Sequence, residues 1–286
     1  MTSGASDSET VCAHAIAGHV AVLARGVQAR QWASMANQRV PRIFNPARRR
    51  AIRQRAARLS AADPAASYIL ADMVEDTQER LAFMRLAPAR SLVIGDRHGE
   101  MAAHLSDEGS EVVSVDPADF DEEAPLPRGA FDFIASLATL DTVNDFPGAL
   151  IHLRNGLAPG GVLIASLLGA GSAPALRSAM LAADADRPAA RMHPMVDRRG
   201  GAELLQRSGF ARQVVDSRSL DVRYGSMDAL VNDMRAQGMT NALVSSPPPL
   251  GRAARETARQ HFISQADDAG RVTETFEILT LTGWKT

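Results

Sequence analysis

An apolar run, Ser91-Leu-Val-Ile94, enters a turn bracketed by Gly95 and Gly99. A helical run from Met101 to Glu108 follows, and Glu111-Val-Val-Ser-Val115 then leads to Asp116 and Pro117. These residue types at this spacing suit a nucleotide-like ligand. Glycines let the backbone turn tightly and approach a ligand, and the N–H groups opening a helix face it. A carboxylate at a strand end about 20 residues on accepts hydrogen bonds from two ribose hydroxyls. The turn reads Gly95-Asp96-Arg97-His98-Gly99, so Arg97 stands where a middle glycine is usual. Val93 stands where nucleotide-binding strands often carry an acid. Taken alone, the pattern equally describes an ordinary strand, turn and helix with an acid downstream.

Other groups able to do chemistry are few. His98 beside the turn and His193 before Pro194 read as loop surface residues. Asp141 and Asp145 fall at the carboxyl end of a later strand, where open α/β sheets bind ligands. Asp145, followed by Phe146-Pro147, is explained as a helix N-cap. The seven histidines form no His-x-x-x-His or Glu-x-x-His pair, and Cys12 is the single cysteine. The sequence therefore gives no metal site and no disulfide framework.

The elements that must position these groups follow from periodicity. From Arg39 to Arg58 there are eight arginines and no acid. A helix opening at Pro46 carries Ile52, Ala56 and Leu59 as a narrow apolar stripe, and its arginines read as a solvated face rather than an anion-binding arm. Tyr68 to Leu86 is a second helix, with Ile69, Met73, Leu81 and Met84 facing a core. These two helices precede the sheet and are placed to close over the glycine turn. Asp119 to Gly129 is too short for a helix plus a full strand, so the crossover here is abbreviated. Phe131 to Ser136 reads as a buried strand, and a helix from Asp145 to about Leu157 follows. Pro159-Gly160-Gly161 reads as a turn into the strand Val162–Leu168. Helices are expected at Pro174–Ala185, Gly200–Arg207, Ser226–Gln237 and Arg252–Gln265, with strands within Gln213–Tyr224 and over Thr273–Thr282. Strands alternating with helices through Leu168 imply a parallel, doubly wound sheet. The helical excursion before the last strand would cover its carboxyl edge as a cap.

The 286 residues are 45% hydrophobic and 22% charged, with a net charge of −2. That composition supports a packed core and argues against a nucleic-acid binder relying on bulk charge. Met1 to Glu9 is polar, and the run Val11–Leu23 is broken by His14 and His19 without a basic lead, a poor signal peptide. Residues 1–40 read as a poorly ordered leader, with Met35 a natural start. No stable membrane insertion is expected, and the cytoplasm is the expected compartment.

Gly95-x-x-x-Gly99, Asp116, the Phe131-Asp132 strand and Leu157-x-Pro-Gly-Gly161 together resemble the class I S-adenosylmethionine-dependent methyltransferases. Further pieces resemble one branch of that group: Ile43-Phe-Asn45, Val143–Leu150, Leu204–Phe210, Val222–Ser226, Thr240–Leu243 and Thr275–Trp284. That branch holds the respiratory complex I assembly factor, an arginine-hydroxylating relative, and lies near the biotin-pathway malonyl carrier-protein methyltransferases. The resemblance covers residues 41–285. It implies a Rossmann-like doubly wound sheet of class I methyltransferase type with N-terminal helices and a helical cap inserted before the last strand. The corresponding division is 41–90 N-terminal helices, 91–224 core, 225–272 cap and 273–286 final strand. It implies S-adenosylmethionine held by Gly95, Asp96, Arg97 and Gly99, its ribose on Asp116 and Pro117, and Ser136 and Leu137 beneath the sulfonium. The adenine partner would come from Asp121–Pro127. A His-Trp pair usual before Val143 is here Asp141-Thr142, and Arg97 would either obstruct the cofactor or pair with its carboxylate. No catalytic residue is implied, because methyl transfer from a sulfonium demands alignment rather than a general base. The acceptor would be a small molecule, a carrier-bound acyl group or a complex I subunit.

Overall fold

Val93, Phe133, Ala135 and Ile164 are buried on one side of a sheet, and Leu92, Ile94, Ile134 and Leu163 on the other. Alternate residues of a strand point to opposite faces, so strands apolar at every position need cover on both. The computed structural model describes residues 41–184 and 188–286; the expected leader, 1–40, lies outside them.

Helix α1 (Pro46–Ala62) and a 3₁₀ turn, Pro64–Ser67, lead into α2 (Tyr68–Met84). The Asn45 side chain caps α1 by accepting from the Arg48 N–H at 3.1 Å. The chain continues through β1 (Arg90–Ile94), α3 (Glu100–Asp107), β2 (Glu111–Val115), β3 (Phe131–Leu137), α4 (Phe146–Gly156) and β4 (Leu157–Leu168). After these come α5 (Pro174–Ala183), α6 (Arg198–Arg207), β5 (Arg212–Tyr224), α7 (Met227–Gln237), α8 (Arg252–Ile263) and β6 (Val272–Trp284). Helices α2, α3, α5, α7 and α8 cover the first face, and α4 and α6 the second.

The strand order is β2-β1-β3-β4-β6-β5. β1 to β4 run parallel, as expected, while β6 is antiparallel to both β4 and β5. The chain moves outward from β1 to β2, then returns to the other side of β1 for β3. That reversal opens a crevice at the carboxyl ends of β1 and β3, where ligands of open α/β sheets bind. No helix or strand lies between β2 and β3, which leaves β2 as the sheet edge.

Two local expectations are corrected. Pro159-Gly160-Gly161 does not precede β4 but lies inside it, at a bulge between the Phe131–Leu157 and Phe133–Val162 pairs. The Gly160 N–H and Gly161 carbonyl bond the Lys285 backbone at 2.7 and 2.9 Å, drawing the turn into the sheet. Helix α5 ends at Ala183, with Asp184 as its C-cap, short of Ala185.

A buried acid ties the last strand to this layer. The Glu274 carboxylate accepts from the N–H groups of Leu176, Ala175 and Thr275 at 2.8, 3.1 and 3.2 Å, capping α5 from β6. Burial pushes its pKa above the ordinary carboxylate range, against the pull of those N–H groups. The folded state then holds this proton more tightly than the unfolded chain. The resulting stability is full below the unfolded pKa and is lost as pH rises through the folded one. Glu274→Gln is therefore expected to flatten the decline of stability across that window, read by urea unfolding between about pH 4 and 8.

Candidate functional site

The crevice is narrow because its walls touch. Gly95, at φ 94°, follows β1, and a Cβ placed on it would lie 2.2 Å from the Leu137 carbonyl oxygen at the end of β3. Only glycine fits there. Beyond it, the Asp96 carboxylate accepts from the Ala102 N–H at 2.8 Å and caps α3, whose N-cap residue is Gly99 at φ 74°. On the opposite wall Ala138 takes a left-handed φ of 53°, with its N–H on the Ser166 carbonyl. The Ser136 and Thr139 hydroxyls bond each other at 2.7 Å.

Helix α1 lies across this edge. Arg53 donates to the Thr139 carbonyl at 2.8 Å, to the Pro117 carbonyl and to Glu122 at 2.8 Å. Arg49 donates to Thr139 O at 2.9 Å and to Thr142 Oγ1 at 3.1 Å, and its guanidinium pairs with the Glu122 carboxylate at 2.7 Å. The two arginine side chains are 13% and 12% exposed and the Glu122 side chain 0%, so this is a buried triad. Burial lowers the Arg53 pKa while Glu122 opposes the fall. The Arg97 guanidinium donates to the carbonyls of Gln237 at 2.7 Å and Ala236 at 3.4 Å, at the C-terminus of α7. A cation there suits the helix dipole. Burial lowers the Arg97 pKa, the Arg53 charge lowers it further, and Asp116 opposes both.

Of the residues singled out in the sequence, Gly95, Arg97, Pro117, Leu137 and Asp141 line one cavity with Arg49 and Arg53. Asp96 is occupied in capping α3. The Ser136 hydroxyl is taken by Thr139, and Gly99 sits at the start of α3. Asp116 is exposed, with Oδ1 bonded to the Ala118 N–H at 2.7 Å. His98 is exposed, whereas His193 is buried rather than superficial. Asp145 caps α4 through the Gly148 N–H at 2.9 Å.

The sequence reading missed Arg49, Arg53 and Glu122. It took the arginine face as solvated, yet Arg49 and Arg53 share a helix face with the buried Ile52 and Ala56. That spacing was the available signal. Glu122 lies in the segment expected to supply the adenine partner, but it is bound to α1 instead.

A profile described as "Methyltransferase domain" matches residues 44–215, more than half of the chain. The chain belongs to this methyltransferase-domain family. The family member matches the protein named Arginine-hydroxylase NDUFAF5, mitochondrial, of Rattus norvegicus at 29% identity, covering 58% of this chain and 50% of that protein. The human protein of that name matches at 28%, over 62% and 52%. This methyltransferase-domain chain thus spans about half the length of these relatives. A Malonyl-[acyl-carrier protein] O-methyltransferase of Gallionella capsiferriformans matches at 24% identity, over 83% of this chain and 91% of that enzyme. Among the described residues no helix is long and apolar enough to cross a membrane, and no group of three or more His, Cys, Asp or Glu is placed to hold a metal ion.

S-adenosylmethionine does not fit this arrangement of the methyltransferase domain. The cavity between α1 and the strand ends measures about 30 Å³, room for one or two waters rather than the 300 Å³ or more of a typical ligand site. The Thr139 and Pro117 carbonyls at this edge are bonded to Arg49 and Arg53.

Proposed function

We propose that the protein is an S-adenosylmethionine-dependent methyltransferase in which α1 is the lid of the cofactor site, acting on a small or carrier-bound acceptor. The observation carrying this reading is that Arg49 and Arg53 bond the carbonyls of Pro117 and Thr139, which flank the crevice at the switch point of the sheet. The apolar hold on α1 is a small cluster in which Ile52 meets Phe44, Ala242 and Leu243, separate from the two main cores. With α1 withdrawn, the Pro117 and Thr139 carbonyls at the crevice would be open to a ligand. The lid excludes water, and alignment of acceptor and methyl group is the main demand of the chemistry. The proposed compartment is the cytoplasm.

A second reading is favoured by the buried Glu122 triad. If α1 stays in place, the fold serves as an assembly factor of the respiratory complex I branch, modifying or chaperoning a subunit with a degenerate cofactor site.

Calorimetric titration with S-adenosylmethionine and S-adenosylhomocysteine separates the two. Under the lid reading, binding reaches the micromolar range, worth roughly 8 kcal/mol. Arg53→Ala, which leaves Glu122 paired with Arg49, tightens it, and Asp116→Ala weakens it at least tenfold. Absence of binding in both wild type and Arg53→Ala removes this cofactor and leaves the second reading.

A further inference from the structure

The end of the sheet opposite the crevice is basic. Here β3 opens at Phe131, beside Leu157 of β4, and β5 opens at Arg212, beside Trp284 of β6. Helix α4 runs directly into β4, and α6 ends shortly before β5, so both helix C-termini lie at this end too. Arg128, Arg154, Arg207, Arg212 and Lys285 gather there. Arg128, Arg207 and Arg212 are exposed, and Arg154 and Lys285 are half-buried. The Lys285 Nζ donates to the Leu157 and Asn155 carbonyls at 2.5 and 3.2 Å. Burial, then the Arg154 and Arg128 charges, lowers the Lys285 pKa, and no carboxylate opposes them.

None of these five cations is ion-paired among the described residues. Away from this end Arg80, Arg191, Arg218, Arg223 and Arg259 each hold a carboxylate. Acids are few along this front: Asp132, which accepts from the Arg90 N–H at 2.9 Å, and the Thr286 carboxylate. Asp107, Glu108 and Glu111 stand at the far corner by β2, where Arg90 is the register partner of Glu111. Cations at helix C-termini are ordinary, because the dipole favours them. That accounts for Arg154 and Arg207, but not for Arg128, in the loop before β3, or Arg212, at the start of β5.

Phe83 adds an apolar group. It lies in the last turn of α2 and is 90% exposed. Arg80, one turn earlier, pairs with Asp216 of β5, which brings this end of α2 toward Arg212. We propose that this basic end docks on the surface of an anionic lipid bilayer, with Arg128, Arg207 and Arg212 on the headgroups and Phe83 entering the interface. Basic side chains near an anionic leaflet are attracted to it, and a face combining basic and aromatic residues suits the headgroup boundary. Strands β3 to β5 span about 15 Å, a broad front that fits a planar partner. Docking leaves the crevice facing away from the lipid, and it does not rest on the methyltransferase reading.

The test is co-sedimentation of the full chain with vesicles, without S-adenosylmethionine. Phosphatidylcholine vesicles containing phosphatidylglycerol should capture the protein, phosphatidylcholine alone should not, and salt should release it by screening. Arg128→Gln with Arg212→Gln should weaken binding roughly 25-fold, about fivefold for each charge. Arg235→Gln with Arg271→Gln removes the same charge at the crevice end. Arg235 is in the last turn of α7, and Arg271 precedes Val272, the partner of Tyr224; both are exposed. That pair should leave binding unchanged. Phe83→Ser, at an exposed position, should weaken binding about tenfold. The proposal is overturned if the anionic vesicles capture no more protein than the neutral ones, if the two double variants lose binding equally, or if Phe83→Ser has no effect. It is also overturned if polyglutamate binds as tightly as the vesicles with the same Arg128 and Arg212 dependence, which would assign the face to an acidic protein.

Discussion

Glu122→Ala is expected to destabilise the protein by about 3–5 kcal/mol, because removing one member of a buried ion pair strands the others. One carboxylate with no exposed side-chain surface serves both Arg49 and Arg53. Without it two guanidiniums share a buried edge, and the remaining acceptors, Thr139 O, Pro117 O and Thr142 Oγ1, carry no charge. For a chain of this size the melting temperature should fall by roughly 10 °C. Urea unfolding gives the free energy directly, with an unchanged slope indicating that the unfolded state is unaffected. Replacing Arg49, Arg53 and Glu122 together by leucine should recover much of the loss, since a buried triad can be exchanged for apolar packing at little cost. A loss below about 1 kcal/mol in Glu122→Ala would mean that the triad is hydrated in solution and holds α1 only weakly.

Gly95→Ala is the second large effect, expected at about 3–5 kcal/mol from backbone strain and overpacking together. The obstacle is the backbone carbonyl of Leu137, 2.2 Å from the added carbon, rather than a side chain able to turn aside. The φ of 94° adds strain for any residue with a Cβ. Relief requires β1 and β3 to part at the switch point, so the variant should also lose whatever nucleotide affinity the wild type has. Gly99→Ala offers a comparison: its added carbon meets nothing within 4 Å, leaving only the cost of a φ of 74°. That variant should lose about 1–2 kcal/mol. Equal losses in the two would show that contact with Leu137 O is not what fixes Gly95.

The glycine turn illustrates how far local pattern carries. Strand, turn and helix from Ser91 to Val115 were legible because each depends on residues within one or two turns of one another. The same holds for the Asp145 and Ser226 caps, whose side chains accept from Gly148 and Ala229. Gly95 was legible as a required glycine, and the opposite strand adds a reason the sequence did not show, the Leu137 carbonyl beside it. Arg97 was legible as an anomaly, and its partners, the carbonyls ending α7, lie about 140 residues along the chain.

By itself the sequence determined the βαβ unit, the order of most elements, the parallel strands through β4 and the shortened crossover after β2. All of these follow from hydrophobic period and turn chemistry over short spans. Tertiary structure alone decided what the arginine face of α1 meets. Arg53 and Glu122 are 69 residues apart, and no local propensity distinguishes an arginine destined for solvent from one destined for a buried carboxylate. It also decided a cavity of about 170 Å³ lined by Met180, Met192, Met195, Met234 and Met239, which become neighbours only once α5 and α7 pack over the end of the sheet. Secondary structure is set by neighbours in sequence, whereas a site is set by which side chains the fold brings out of water together.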